Sequence, residues 1–188
     1  MTRYVIIGAG GIGCAIGGRL QWKQKPVVAT ARGPQLEALR AGPLALNNPE
    51  ERIETQLDVH ASPSDFDWCE DDVVILCAKS QDTAAAMAAV AEVASLDTPI
   101  VCAQNGITNE EVVRRLGFRR VYGAFVFTPV TFVSPGRVTV HTAPDFGVVD
   151  VGVHPAGPAD DVVTTLTADL GEAGFDSQPD EDISATKR

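Results

Sequence analysis

The apolar and polar positions of the chain alternate between short apolar runs and amphipathic stretches. Tyr4 to Ile7 form a β-prone apolar run, and Ile12, Ile16 and Leu20 then recur at helical spacing. This order predicts a strand, a tight turn and a helix. Because the alternation continues along the chain, the sequence predicts an α/β fold of the Rossmann type, with a doubly wound, mainly parallel sheet and an added antiparallel edge.

The later elements follow from the same patterns. Further strands are predicted at residues 27–31, 71–79, 99–106 and 121–127, and further helices at 34–40, 83–94 and 160–173. Asp82 is a candidate N-cap, and Thr108 to Glu111 has the spacing of a capping box. Arg52 to His60 is predicted to form a hairpin with Leu44 to Leu46.

The antiparallel edge is predicted from the second half of the chain. Pro135 and Gly136 occupy the two central positions of a type II turn, which joins a strand at residues 130–133 to one at 138–141. Residues 146–152 form a further strand. We expect these strands to extend the edge of the parallel sheet.

The turn after the first strand contains three glycines in the order G-x-G-x-x-G. In a dinucleotide site, Gly8 makes the turn, Gly10 lets a pyrophosphate approach the backbone, and Gly13 lets the helix pack closely on the strand. The phosphates then lie at the helix N-terminus. A purely structural glycine turn is the alternative, but the strand before it and the helix after it favour a dinucleotide site.

Polar side chains follow three of the predicted strands, where an open α/β sheet binds ligands. Arg32 follows the second strand, Lys79 and Gln81 follow a buried strand, and Asn105-Gly106 follows the next. Singly, each has an ordinary explanation as a loop charge or a turn residue. Arg32 lies 19 residues after Gly13, where NAD-binding proteins carry an acid, so this arginine predicts NADP(H) as the cofactor.

Composition narrows the classes of partner. The chain carries 25 acidic and 15 basic residues, a net charge of −10, which disfavours nucleic acid or an anionic membrane surface as a partner. Its four cysteines lack C-x-x-C spacing and its three histidines lack ligand-like spacing, so free thiols and no metal are expected. We find no secretory signal or bilayer-spanning run, and we expect a cytoplasmic protein without membrane contact.

Several motifs together resemble the ketopantoate reductase family. They are GAGGIG at the first turn, ARG after the second strand, LCAKSQDT, QNGI, SPGRV and the late DI pair. The resemblance implies NADPH-dependent reduction of a 2-keto acid, 2-dehydropantoate to pantoate, on the route to pantothenate and coenzyme A. It implies that Lys79 and Asn105 face the substrate as supporting catalytic residues. The implied cofactor-binding residues are Gly8, Ala9, Gly10, Gly11, Ile12, Gly13, Arg32, Lys79, Gln81, Asn105 and Gly106.

The resemblance also implies a division of the chain. Residues 1–176 would be the NADP-binding domain, and 177–188 would begin a linker to a helical second domain that carries the proton-donating lysine. Asp182-Ile183 matches the start of the motif before that lysine, which the chain does not reach, so we expect this chain to be inactive alone. Lys187 is expected to be an exposed charge in a polar tail.

Other interpretations remain open at the level of sequence. A flavin or S-adenosylmethionine site generally carries an acidic residue at the position where this chain has Arg32, so Arg32 disfavours both ligands. A reductase of the same superfamily with another substrate, or a non-catalytic NADP(H)-binding module that senses redox state, fits the same motifs. Exposed apolar residues around Val130 and Phe132 would favour weak homo-oligomerisation.

Overall fold

A computed structural model describes all 188 residues. The strands are β1 (Arg3–Ile7), β2 (Val27–Thr30), β3 (Leu44–Asn47), β4 (Arg52–Thr55), β5 (Asp58–His60), β6 (Asp72–Leu76), β7 (Ile100–Cys102), β8 (Val121–Phe127), β9 (Val130–Ser134), β10 (Arg137–Val140) and β11 (Val148–Val153). The helices are α1 (Gly11–Trp22), α2 (Gly33–Ala41), α3 (Thr83–Ala91), α4 (Thr108–Arg115), α5 (Asp161–Glu172) and α6 (Ile183–Thr186). Two single turns of 3₁₀ helix lie at Pro63–Asp65 and Ser80–Asp82.

Seven strands form the main sheet, in the order β11-β8-β7-β6-β1-β2-β5. Every neighbouring pair is parallel except β8 and β11, so β11 is the antiparallel edge. The chain reverses direction across the sheet after β2 and β5, when it returns to β6 on the other side of β1. The α/β Rossmann-type architecture predicted from the sequence is therefore confirmed, and its ligand crevice is expected at this reversal point, beyond the carboxyl ends of β1, β2 and β6.

The remaining strands form a second sheet that the sequence did not predict. Its order is β4-β3-β10-β9, and β10 pairs in parallel with β3 while the two flanking pairs are antiparallel. The predicted turn at Pro135-Gly136 is present, with Gly136 at φ +74°. The two strands that it joins do not extend the main sheet, however. Instead β10 pairs with β3 of the earlier hairpin and β9 forms the outer strand, because the sequence pattern of a strand does not specify its partner.

The predicted strand from Arg52 to His60 is wrong in one respect: it breaks into β4 and β5, which belong to different sheets. Buried and exposed residues alternate without interruption through the break, so periodicity gives no indication of it. Gln56 turns its side chain to the Leu39 carbonyl, to which its Nε2 donates at 3.0 Å. Leu57 is buried. The chain thus passes between sheets while keeping one apolar face inward.

Both faces of the parallel strands are covered. In β1, Tyr4 and Ile6 belong to the core cluster that includes α1 and α5, whereas Val5 and Ile7 belong to the cluster with α3 and α4. Burying a side chain such as Ile6 stabilises the fold by about 1.5–3 kcal/mol. A near-continuous apolar strand is the expected consequence of burial on both faces.

Two predicted helix starts differ from the structure. Asp82 precedes α3 but its side chain caps no backbone N–H, and α4 begins at Thr108 with Ile107 as its N-cap, so the capping box is absent. Asn109 and Glu110, in the first turn of α4, are instead buried. Their side chains contact other elements of the fold, and these tertiary contacts replace local capping of the helix. By contrast, Asp160 caps α5, accepting from the N–H of Val162 and Val163.

Residues 176–188 pack along the domain. The N–H of Val149 donates to Asp176 O at 2.9 Å, and that of Asp180 donates to Val151 O at 2.8 Å, so the segment runs beside β11. Ile183 of α6 is fully buried. A division at residue 176 between domain and linker stays a prediction. No helix of the structure has the length and apolar character needed to cross a membrane.

Candidate functional site

The glycine turn lies between β1 and α1 and is held by β2. Gly8 adopts φ +100°, a left-handed conformation that favours glycine. Its N–H donates to Thr30 Oγ1 at 3.2 Å, and the N–H of Ala9 donates to the Thr30 carbonyl at 2.8 Å. The end of β2 therefore sets the path of the turn.

The three glycines of the motif have different surroundings. A Cβ on Gly13 would lie 2.2 Å from the Gly8 carbonyl oxygen. The close packing of α1 on the turn therefore requires glycine at this position. A Cβ on Gly10 would meet no atom within 4 Å. Gly10 is the N-cap of α1 and provides no side-chain acceptor for the first-turn N–H groups. These N–H groups are therefore available to an anion approaching the turn.

A cavity of about 500 Å³ opens beyond the carboxyl ends of β1, β2 and β6. This volume lies in the usual range of small-molecule sites. Six of the sequence-predicted site residues line it: Gly8, Ala9, Gly10, Arg32, Lys79 and Gln81. The structure thus brings the glycine turn, the arginine after β2 and the polar residues after β6 to one cavity.

Positive charge dominates this cavity, although the chain is acidic. Arg32 and Lys79 are both exposed, and neither forms an ion pair. Asp82 is the one acidic residue among the lining side chains. Arg32 also precedes α2, whose N-terminal end carries partial positive charge. Two unpaired cations beside two helix N-termini favour a ligand with several phosphate charges.

The other predicted site residues lie outside the cavity lining. Gly11, Ile12 and Gly13 belong to the first turn of α1 and pack toward the protein, Gly11 against Val130 and Gly13 against the turn. Asn105 and Gly106 lie in an exposed loop after β7, with Gly106 at φ +80°. The structure therefore places Asn105 on the neighbouring loop, at the same edge of the sheet as Lys79.

Sequence reasoning missed Gln35, which lines the cavity from α2. Its Nε2 donates to the Ala9 carbonyl at 3.0 Å, and its Oε1 accepts from the Gly136 N–H at 2.8 Å. Gln35 therefore joins the glycine turn to the β9–β10 turn. Its position three residues after Arg32 was the one indication in the sequence.

The walls of the cavity come from small and apolar residues that carry no motif. Ala85, Ala86 and Ala89 of α3 form one wall, residues 61–63 contribute another part, and Phe132 of β9 reaches the cavity from the second sheet. The spacing of the alanines puts them on one helix face, and their methyl groups leave room for a flat ring. The alanine-rich helix was predicted, but its contact with a ligand site was not.

The thiols near the site are protonated at neutral pH. Burial raises the pKa of Cys14, in α1, to about 12 and that of Cys77, which lines the cavity, to about 12. Neither thiol is therefore an activated nucleophile. No group of three or more His, Cys, Asp or Glu side chains is arranged to hold a metal ion.

The expectation that Lys187 is exposed is wrong. Its side chain is 2% exposed, and its Nζ donates to the Cys102 carbonyl at 3.0 Å and to the buried carboxylate of Glu110. Cys102 is the last residue of β7. Lys187 therefore fastens the C-terminal helix α6 beneath the loop that carries Asn105, and the paired ammonium is not free to reach the cavity.

Comparisons with known proteins agree with this architecture. The family described as ketopantoate reductase PanE/ApbA matches residues 4–155. A 2-dehydropantoate 2-reductase of Pyrococcus horikoshii is 28% identical over 185 residues, which are 98% of this chain and 58% of the relative. One of Archaeoglobus fulgidus is 34% identical over 132 residues, 66% of this chain and 41% of the relative. The matched regions thus span 58% and 41% of the lengths of these two relatives.

Solved structures show the same fold. A PanE/ApbA family ketopantoate reductase of Ralstonia eutropha superposes with a TM-score of 0.85 at 24% identity, covering 98% of this chain and 58% of that one. A D-mandelate dehydrogenase solved with NADH and anilino(oxo)acetate gives a TM-score of 0.79 at 20% identity, with coverage of 96% and 57%. The sequence match over residues 4–155, which include the glycine turn, Arg32 and Lys79, shows that this chain belongs to the ketopantoate reductase family.

Proposed function

We propose that this chain is the NADPH-binding part of a 2-keto acid reductase. The observation that carries the proposal is Arg32, which lines the same cavity as the glycine turn and has no acidic partner. An acid at this position would repel a ribose 2′-phosphate, whereas a guanidinium can bind it with two charge-assisted hydrogen bonds.

Residues of the cavity could also bind the pyrophosphate, the adenine and the ribose of the proposed cofactor. The N–H groups at the start of α1 and the open face of Gly10 would hold the pyrophosphate. The alanine wall of α3 would lie against the adenine, and Lys79 and Gln81 would hold the ribose and phosphate oxygens. When bound, the cofactor supplies the hydride. The role of this chain's residues is to bind and orient it.

The proposed substrate is 2-dehydropantoate, which would be reduced to pantoate. Lys79 and Asn105, on adjacent loops, are the proposed residues on the substrate side. Lys187 is held by Glu110 and does not supply the proton of this reaction. We therefore propose that the 188-residue chain binds NADPH but does not turn over 2-dehydropantoate by itself.

A second substrate class has one specific observation in its favour. The structure also superposes on a D-mandelate dehydrogenase, which is a dehydrogenase of a 2-hydroxy acid and was solved with NADH. A reductase of another 2-keto acid is therefore the alternative within the same architecture. A non-catalytic NADP(H)-binding module would use the same cavity.

Isothermal titration calorimetry with NADPH and NADH tests the cofactor. A hydrogen bond to a charged group contributes about 1.5–3 kcal/mol, so Arg32→Ala is expected to weaken NADPH binding by about 10- to 100-fold. NADH binding should stay nearly unchanged, and Arg32→Asp should reverse the preference. Arg40 is an exposed arginine outside the cavity, on α2, the helix that Arg32 precedes. Arg40→Ala is therefore the matched control and should change neither affinity.

Equal losses for NADPH and NADH in Arg32→Ala would contradict the assignment of NADP(H). Turnover is tested separately, by following NADPH absorbance in the presence of 2-dehydropantoate, and a rate well above the buffer control would contradict the proposed inactivity of the chain alone.

A further inference from the structure

A chain of side-chain hydrogen bonds, buried except at its Ser80 end, joins the two loops that carry Lys79 and Asn105. We call it the Thr83 relay, and its members are Ser80, Asn109, Thr83 and Gln104. Gln104 Nε2 donates to Thr83 Oγ1 at 3.0 Å, and Thr83 Oγ1 donates to Asn109 Oδ1 at 2.9 Å. Asn109 Nδ2 then donates to Ser80 Oγ at 3.3 Å.

The members of the relay adjoin the proposed site residues in the chain. Ser80 directly follows Lys79, and Gln104 directly precedes Asn105. Thr83 is 1% exposed and Asn109 is 2% exposed, so the central link has no access to water. A hydrogen bond in this environment is costly to break, because the buried partner is left unpaired.

Backbone hydrogen bonds do not join these loops. The last one between the two neighbouring strands runs from the Ala103 N–H to the Leu76 carbonyl at 3.0 Å. Beyond it, the two chain segments separate into the start of α3 and the start of α4. The relative position of the loops therefore depends on side chains, and the relay provides the hydrogen bonds between them.

We propose that the Thr83 relay is a positioning element that sets the loop of Lys79, which lines the cofactor cavity, relative to the neighbouring loop of Asn105. This inference rests on the proposed function only in what the two loops bind. The hydroxyl of Thr83 accepts one bond and donates another, so both of its roles are used. Thr83 is therefore the position at which a single substitution interrupts the relay on both sides.

Thr83→Val tests the relay because it keeps the shape of the side chain and removes the hydroxyl, while Thr83→Ser restores the hydroxyl. NADPH binding by calorimetry is expected to weaken about tenfold in Thr83→Val and to return to within about threefold of wild type in Thr83→Ser. In a Lys79→Ala background, Thr83→Val should have less than about a twofold effect, because the residue through which it acts is gone. Equal effects in both backgrounds would overturn the positioning role.

Hydrogen exchange measured by mass spectrometry tests the relay without a ligand. Thr83→Val is expected to speed exchange in peptides that cover residues 77–82 and 104–108, and Thr83→Ser should not. Unchanged exchange in both peptides would contradict the proposal. If wild-type chain fails to bind NADPH, the proposed cofactor is wrong, but exchange still decides whether the relay holds the two loops together.

Discussion

The ligand-binding edge of the sheet differs between its glycine end, at β1 and β2, and its β7 end in the kind of groups that form it. Around β1, α1 and β2, the site is formed by backbone groups and small residues. Gly13 permits the close packing of α1, and the N–H groups at the start of this helix have no side-chain cap. Around β7, α4 and α6, the structure is held together by buried polar side chains, in the Thr83 relay and in the Lys187–Glu110 pair.

The two ends differ in whether their polar groups are free to bind a ligand or are already bonded within the protein. The glycine end leaves N–H groups and Arg32 available to an anion. The β7 end uses most of its polar groups internally, although Glu110 Oε2 and Gln104 Oε1 have no hydrogen-bond partner. Substitutions at the Lys187–Glu110 pair should therefore act mainly on stability, whereas those at the glycine end and in the Thr83 relay should act on binding as well.

The largest expected effect is on the buried ion pair. Removing one partner of a buried pair leaves an uncompensated charge, so Lys187→Met should lower the free energy of unfolding by about 3–5 kcal/mol. Chemical denaturation followed by circular dichroism measures this loss. A double variant, Glu110→Leu with Lys187→Met, should recover much of it, because no buried charge then remains.

The matched control is the exposed pair of Arg119 and Asp97, whose side chains are 67% and 61% exposed. Arg119→Ala should change stability by less than about 1 kcal/mol, because water screens the pair. If Lys187→Met cost no more than Arg119→Ala, α6 would not be fastened by the buried pair and the comparison of the two ends would fail.

The next effect sharpens the distinction at the glycine end. Gly13→Ala forces a Cβ against a backbone carbonyl that cannot move away, and such overpacking costs about 1–3 kcal/mol of stability. Gly10→Ala meets open space and should change stability by less than about 0.5 kcal/mol. Its NADPH affinity should nevertheless fall about tenfold or more, because the methyl group stands where the pyrophosphate approaches. Full NADPH affinity in Gly10→Ala would place the pyrophosphate elsewhere.

Thiol labelling compares local opening at the two ends. Burial raises the pKa of Cys102, at the β7 end, and raises that of Cys14, at the glycine end, to about 12. In Lys187→Met, iodoacetamide should label Cys102 faster by a larger factor than Cys14, because the side chain that bonds the Cys102 carbonyl is gone. Equal acceleration of both thiols, read by peptide mass spectrometry, would indicate global rather than local opening.

The smallest expected effect concerns self-association. Phe127, Phe132 and Val133 are 60%, 43% and 58% exposed, and Phe132 also lines the cavity. Exposed apolar residues of this kind favour weak association, which Phe127→Ser should reduce. Sedimentation should show an average mass that rises with concentration, and a strict monomer at all concentrations would contradict this prediction.

The sequence by itself determined the β1–α1–β2 unit and the residues proposed to bind the cofactor there. The strand and helix periods, the three glycines and Arg32 all lie within about thirty residues, and local conformation decides what they form. For the same reason the alternating strands and helices, the turn at Pro135-Gly136 and the family resemblance could be predicted. The predicted N-caps of α3 and α4 were wrong, because the Asp82 side chain caps no backbone N–H and α4 has Ile107 as its N-cap.

Only the tertiary structure decided which strands pair and which polar groups meet. Gln35 meets Gly136 across 101 residues of chain, and Lys187 meets Glu110 across 77. The second sheet unites β3 and β4 with β9 and β10, which lie in two distant stretches of the chain. Such contacts depend on where the chain returns after long excursions, which residue periodicity does not encode. A charged residue near the C-terminus is therefore expected to be exposed from sequence alone. In the fold the Lys187 side chain is only 2% exposed, because Glu110 and a strand carbonyl replace the water it loses.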